Sequence, residues 1–175
     1  REMYTTDSIK DMTTIHATRE AYKKCGKDPS RYRPSAEALR RRLMRGLELY
    51  QIDTLVDLIN LVSLRTGYSI GGFDADKIQG DSLELGIGRA EEPFEGIGRG
   101  TLNIEGLPVY RDRAGGIGTP TSDNERTKMG LETRRILAIV NGYNGQEGLK
   151  EAAEMILELL EKYASSTSGT IQYFE

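Results

Sequence analysis

Tryptophan is absent, and cysteine and histidine each occur once, at Cys25 and His16. A lone cysteine excludes an internal disulfide and any zinc site built on several thiolates; it fits a reducing cytoplasm. A lone histidine excludes a polyhistidine metal centre. No Ser-His-Asp triad and no nucleotide-binding fingerprint appears, so any catalysis here works by positioning water, without a metal or other cofactor. No apolar run approaches the roughly 20 residues that span a bilayer, so no membrane partner is expected. No signal peptide is visible, but the first residue is Arg1, so an N-terminal piece, with any targeting segment, has been open to trimming.

What remains is an ordinary globular composition, 37% hydrophobic and 29% charged over 175 residues, which suits one domain over 1–175. The net charge of -3 conceals a polarity. Residues 1–50 hold twelve Lys/Arg against seven Asp/Glu, a surplus of +5, and the remainder carries -8. "RYRPSAEALRRRL", residues 31–43, concentrates five arginines. Two readings stand for it: an anion-binding face, or the solvated side of a helix.

Residues 8–25 read as a helix started by Asp7 or Ser8 and stopped at Gly26, with Met12, Ile15 and Tyr22 near one face and Thr18 interrupting them. Ser35 is an N-cap candidate, and Ala36, Leu39, Leu43 and Leu47 form a continuous stripe facing a core. Arg41 and Arg45 then project opposite it, and Arg31 and Arg33 join them only if the preceding loop folds back. Residues 54–66 are apolar almost all round, opened by Thr54 and Asp57 and stopped by Gly67, which predicts a buried helix. Asp57 and Asn60 share one of its faces; either they satisfy nearby backbone or they serve a site.

Extended segments are expected from Tyr68 through Gly71-Gly72-Phe73-Asp74, and at 82–87, 101–105, 107–111 and 134–140. The glycine pair permits positive φ or the close approach of a ligand. Residues 112–130 read as one long polar loop, 146–163 as the clearest amphipathic helix, and "GTIQYF" as a final strand. Helices at both ends and strands between them make an α+β layered domain. His16 with Glu20 reads as a surface pair and Cys25 as a small core thiol. Glu125 and Thr127, in the polar loop, are candidates for polarising water or gripping an α-amino group; the alternative is a solvated loop carboxylate.

Ile52-Asp53, Val56-Asp57, Asn60 and Phe73-Asp74-x-Asp76 follow one another without a gap, and Glu132-Thr133 precedes a hydrophobic strand. In this the chain, from about residue 20, resembles the B-three/B-four tRNA-editing domain in the beta chain of phenylalanyl-tRNA synthetase. The resemblance implies a β-sandwich of unusual topology, shared with a domain of tRNA-lysidine synthetase. It implies a pocket that hydrolyses mischarged tRNA, with aminoacylated tRNA as partner, a synthetase beside it, and no DNA; the expected setting is the cytoplasm. Carried over by position, Asn60, Glu125 and Thr127 fall on pocket residues, with Glu125 on the glutamate that reads the noncognate side chain. Gly71, Gly72, Phe73 and Arg126 would line the substrate, and Arg31, Arg33, Arg41 and Arg45 would contact tRNA phosphates.

There are two departures. Gly71 stands where the family has histidine, and Asp123-Asn124 where it has paired glycines. Glycine for histidine enlarges the pocket or changes its polarity. With no room for a synthetase core or anticodon module, the expectation is a freestanding relative that deacylates in trans; the alternative is a non-catalytic module binding an amino acid or a protein.

Overall fold

The computed structural model describes residues 5–175; the start of the chain at Arg1, and with it the first residues of the expected domain, lies outside them. A 3-10 turn, Ile9–Asp11, precedes helix α1 (Thr13–Lys24), separated from it by extended backbone at Met12 (φ -60°, ψ 134°). The expected single helix from residue 8 is thus two pieces. Thr18 does not interrupt the buried face. It is 1% exposed, its hydroxyl donating to the Thr14 carbonyl one turn back, which lets a threonine sit between Ile15 and Tyr22 without an unsatisfied group.

Helix α2 (Ser35–Met44) is flanked by Pro34, with no side-chain cap, and Gly46 beyond its end has φ +73°. The helix therefore stops before Leu47, and the expected stripe is buried only at its start. Ala36 is fully buried, whereas Leu43 and Leu47 are 45% and 49% exposed. The inward-facing side chain beside Ala36 is Glu37, 0% exposed, a position that hydrophobic periodicity assigns to solvent.

Helix α3 (Thr54–Thr66) opens one residue earlier than expected: Asp53 is the cap, its carboxylate accepting from Val56 N, while Asp57 accepts from Ile52 N. Gly67 ends it in the left-handed region at φ +77°, and a Cβ there would collide with the Thr14 hydroxyl, which donates to the Thr66 carbonyl. Gly67→Ala is therefore expected to destabilise by about 1–2 kcal/mol from backbone strain alone. A denaturant midpoint equal to wild type would refute that account of the cap.

Strand β1 (Ser69–Asp74) pairs antiparallel with β7 (Ile136–Asn141), Gly71 opposite Ile139 and Gly72 opposite Ala138. Strands β2 (Glu84–Ile87), β5 (Pro108–Asp112) and β6 (Gly115–Gly118) form a second antiparallel sheet in the order β2-β5-β6. Strands β3 (Glu95–Gly96) and β4 (Gly100–Thr101) make a two-residue ladder, so the expected strand 101–105 shrinks to its first residue. Strand β6 and a 3-10 turn, Glu125–Thr127, lie inside the stretch read as one polar loop. Helix α4 (Leu149–Ala164) packs on α3, and nothing after it is helix or strand, so the expected final strand is absent. No helix among the described residues is long and apolar enough to cross a membrane.

The result is α+β, with four α-helices and small antiparallel sheets among the described residues. One apolar cluster joins α3, α4 and the β1-β7 pair through Ile59, Val62, Ile70, Ala152 and Ile156. A second joins α1 to β5 and its neighbouring loops through Tyr22, Phe94, Ile104, Leu107 and Val109. Strand β1, with all six residues buried, carries the glycine pair into the interior.

Candidate functional site

Gly71 leaves room for a ring, and a ring is there. A Cβ at Gly71 would lie 2.7 Å from Phe73 Cζ and 3.2 Å from an Asp123 carboxyl oxygen; one at Gly118, on β6, would lie 2.5 Å and 2.8 Å from the same two groups. Phe73, 1% exposed, thus occupies the gap between β1 and β6. Gly72 is covered on its other face by the Met129 methyl and Ile59. The enlargement expected from glycine in place of histidine is taken up by Phe73 and Asp123.

Asp123 was visible in the sequence only as a departure from a family pattern. One of its carboxyl oxygens accepts from Gly72 N at 3.3 Å, and it has no cation partner among the described residues. Burial pushes the carboxyl up to about 8, with the Gly72 N–H opposing weakly. A carboxyl so placed is a neutral acid at neutral pH.

The turn that follows holds the other candidates. Asn124 caps it by accepting from Arg126 N and anchors it by donating to the Gly116 carbonyl. Glu125 stands at the surface, ion-paired with Lys128 at 2.7 Å and accepting from Gly98 N at 3.2 Å; Lys128 first, then Gly98, hold its carboxyl below the usual range. It is an anion, suited to accept from an ammonium or a water. Arg126 is committed to Asp112 through two bonds of 2.8 Å. Burial alone would raise Asp112, but Arg126 and the N–H groups of Gln79 and Ala114 outweigh it and hold the carboxyl at about 2. Thr127 is fully buried, and its hydroxyl has no hydrogen-bond partner. Asn60 is half-buried on α3, away from the Glu125 surface turn in sequence and without a side-chain hydrogen bond among the described residues.

Gly71, Gly72, Phe73 and Asp123 are therefore brought together; Glu125 faces outward from the same turn, while Arg126 reaches back to the buried Asp112. Two clefts open elsewhere. One, about 370 Å³, lies at the end of α1 against Cys25, Lys27, Arg31, Tyr32, Asn103 and Glu105. The other, about 530 Å³, runs between α3 and α4 beside Asp57, Leu61, Arg65, Leu159 and Tyr163. Cys25 is half-buried on the first rather than in a core. His16 is exposed, and Glu20 pairs with Lys23 instead.

The four singled-out arginines divide. Arg31 lies over the Tyr32 ring at 5.6 Å, by the first cleft. Arg33 and Arg41 turn inward to Glu37, each four residues from it, so Arg41 does not project away from the body, and Arg33 reaches the cluster while Arg31 stays beside Tyr32. Arg45 remains exposed. No group of three His, Cys, Asp or Glu among the described residues is arranged to hold a metal ion.

Comparison with known proteins adds one finding. No curated protein matches this chain, and no solved structure does. A family model does: the B3/4 domain, over residues 17–165, which takes in α1 from residue 17 onward, every later element through α4, the glycine pair, the Glu125 turn and the four arginines. The chain therefore belongs to the B3/4 domain family, that of the B3/4 domain in the phenylalanyl-tRNA synthetase beta chain.

Proposed function

We propose that this domain binds aminoacylated tRNA in the cytoplasm and hydrolyses mischarged ester in trans, alongside a synthetase. The observation that supports it is a pair of polar groups left without full partners where the family pattern places its pocket: the Asp123 carboxyl against Gly71 and Gly72, and the Thr127 hydroxyl. Buried polar groups left unpaired cost roughly 1–3 kcal/mol each, a cost that a bound ligand or water removes. In the reaction a water oxygen attacks the ester carbonyl, the acyl–oxygen bond to the ribose breaks, and the proton ends on the leaving ribose hydroxyl. Orientation and oxyanion stabilisation suffice for an ester already this reactive. Thr127 and Asn60 orient the water, Glu125 grips the α-ammonium or the noncognate side chain, and the backbone of Gly71 and Gly72 beside Phe73 lines the acyl group. Arg126 supports this edge through Asp112. Arg31 and Arg45, both exposed, meet the tRNA phosphates, and Arg33 and Arg41 offer them their terminal nitrogens from the edge of the Glu37 cluster. The strands would correspond to the β-sandwich shared with tRNA-lysidine synthetase.

A second reading has an observation of its own. Phe73 and Met129 fill the space over both glycines, which favours a non-catalytic module that keeps the fold and binds an amino acid or a protein partner. Deacylation of a panel of misacylated tRNAs separates the two. Hydrolysis above buffer on at least one pair, reduced about ten- to a hundredfold by Glu125→Ala or Thr127→Val, is the expected result. No hydrolysis on any pair retires the enzyme, and full activity in both variants removes these side chains from the mechanism.

A further inference from the structure

Among the described residues, Glu37 is the one carboxylate in a cluster of arginines. Arg19 Nη1 donates to both its oxygens at 3.1 and 2.9 Å, Arg41 Nε donates at 2.8 Å, and Arg33 Nε stands 3.7 Å away. Arg19 is also held from its terminal nitrogens by the Pro29 carbonyl and the Ser30 hydroxyl. Arg33 and Arg41 make fewer bonds. Arg33 Nε is buried and has no hydrogen-bond partner, and among the described residues the terminal nitrogens of Arg33 and Arg41 have none either. Arg45, one turn beyond Arg41 and exposed, adds its charge to the field at Arg33. Burial first, then Arg41, Arg45 and Arg19 against the single opposing Glu37, depress the Arg33 guanidinium below its usual value.

Four guanidiniums with one carboxylate leave a local surplus of positive charge and several directed N–H donors on partly buried groups. Holding like charges this way is unfavourable unless a second anion enters. Planar N–H forks favour a tetrahedral oxyanion or carboxylate that can accept from more than one of them.

We propose that Arg33, Arg41 and Arg45, with Arg19 and Glu37 as the frame that holds them, form a discrete binding site for one phosphoryl group. The site stands on this geometry alone. It rests on the reading above only for the source of the phosphate, a tRNA backbone or a free phosphate-bearing molecule, and not at all on hydrolysis.

Inorganic phosphate is titrated into the folded protein at constant ionic strength, with chloride as the balancing salt. The readout is the arginine Nε–Hε region of a ¹⁵N correlation spectrum. The Arg33 resonance should shift saturably with phosphate and not with chloride, and phosphate should raise the unfolding temperature. Arg33→Gln and Arg45→Ala, each checked for native circular dichroism, should weaken the apparent affinity on the order of tenfold. Superimposable phosphate and chloride titrations overturn the site, as do variants that bind phosphate like wild type. A second arm uses deacylated tRNA. Competition by phosphate, with a shallower salt dependence in Arg33→Gln, identifies the occupant as backbone phosphate. Saturable phosphate binding with tRNA affinity unchanged in both variants identifies a free phosphate group; it leaves the site standing and counts against the tRNA contact proposed for these arginines.

Discussion

Asp123→Asn should flatten the dependence of stability on pH between about 5 and 8, and it should leave the variant the more stable protein at the alkaline end. The native carboxyl is pushed up to about 8 by burial, against 3.8 for the same group in an ordinary setting. Between those two values the folded protein holds a proton that the unfolded chain has released, so stability falls as pH rises. It levels off only above the native value. The slope approaches about 1.4 kcal/mol per pH unit. Because the residue as a whole is not fully sealed from solvent, a loss of roughly 2–4 kcal/mol across pH 5 to 8 is a sounder expectation than the full integral. For a chain of this length that is on the order of 5–15 °C in Tm.

The window isolates Asp123. The other carboxylates with displaced values, Glu20, Glu92, Asp112, Glu125 and Glu132, are displaced downward, so their contributions are complete by about pH 5 and change only in more acid solution. Asparagine keeps the shape and the acceptor for Gly72 N without a charge to bury. Thermal unfolding of both proteins at half-unit steps from pH 5 to 8 decides it. Parallel curves would mean that Asp123 ionises freely in the folded state and does not act as a buried acid beside the glycine pair.

Glu37→Gln is expected to be among the most damaging single changes in the chain, although it removes no apolar surface. Glutamine preserves size and one acceptor, so the loss isolates charge. Three guanidiniums would then face one another without their shared counter-ion, and breaking a buried pair from one side costs about 3–5 kcal/mol. A fall in Tm of roughly 8–15 °C at low ionic strength follows, partly recovered by added salt that screens the remaining repulsion. A shift within about 2 °C would show that the arginines relax into solvent and that Glu37 does not hold the cluster together.

These two residues also mark where the sequence stops being legible. Helix α3, its Gly67 stop, strands β1 and β7 and helix α4 follow from local rules, since a cap, a 3.6-residue stripe and a run of β-branched residues act over a few positions. Glu37 breaks the rule that assigns a charged residue on an amphipathic helix to solvent. Its partners include Arg19 on another helix, and only the spacing to Arg33 and Arg41, four residues each way, hinted at it. Strand β6, "GGIG", has no side-chain alternation to detect and exists because β5 offers it an edge. "GTIQYF" has strand-forming residues and no strand, because β-structure requires a partner and none is presented to it among the described residues.

At the candidate site the division is sharper. The glycine pair, the Glu125 turn and the basic bias of the first fifty residues are properties of the sequence, and the family follows from its motifs. Whether Gly71 opens a hollow or admits Phe73, and which arginines keep free donors, was decided by contacts between residues far apart in the chain. Local pattern encodes how a segment is shaped; the partner a polar group meets is set by packing, and charge and hydrogen-bonding capacity depend on that partner.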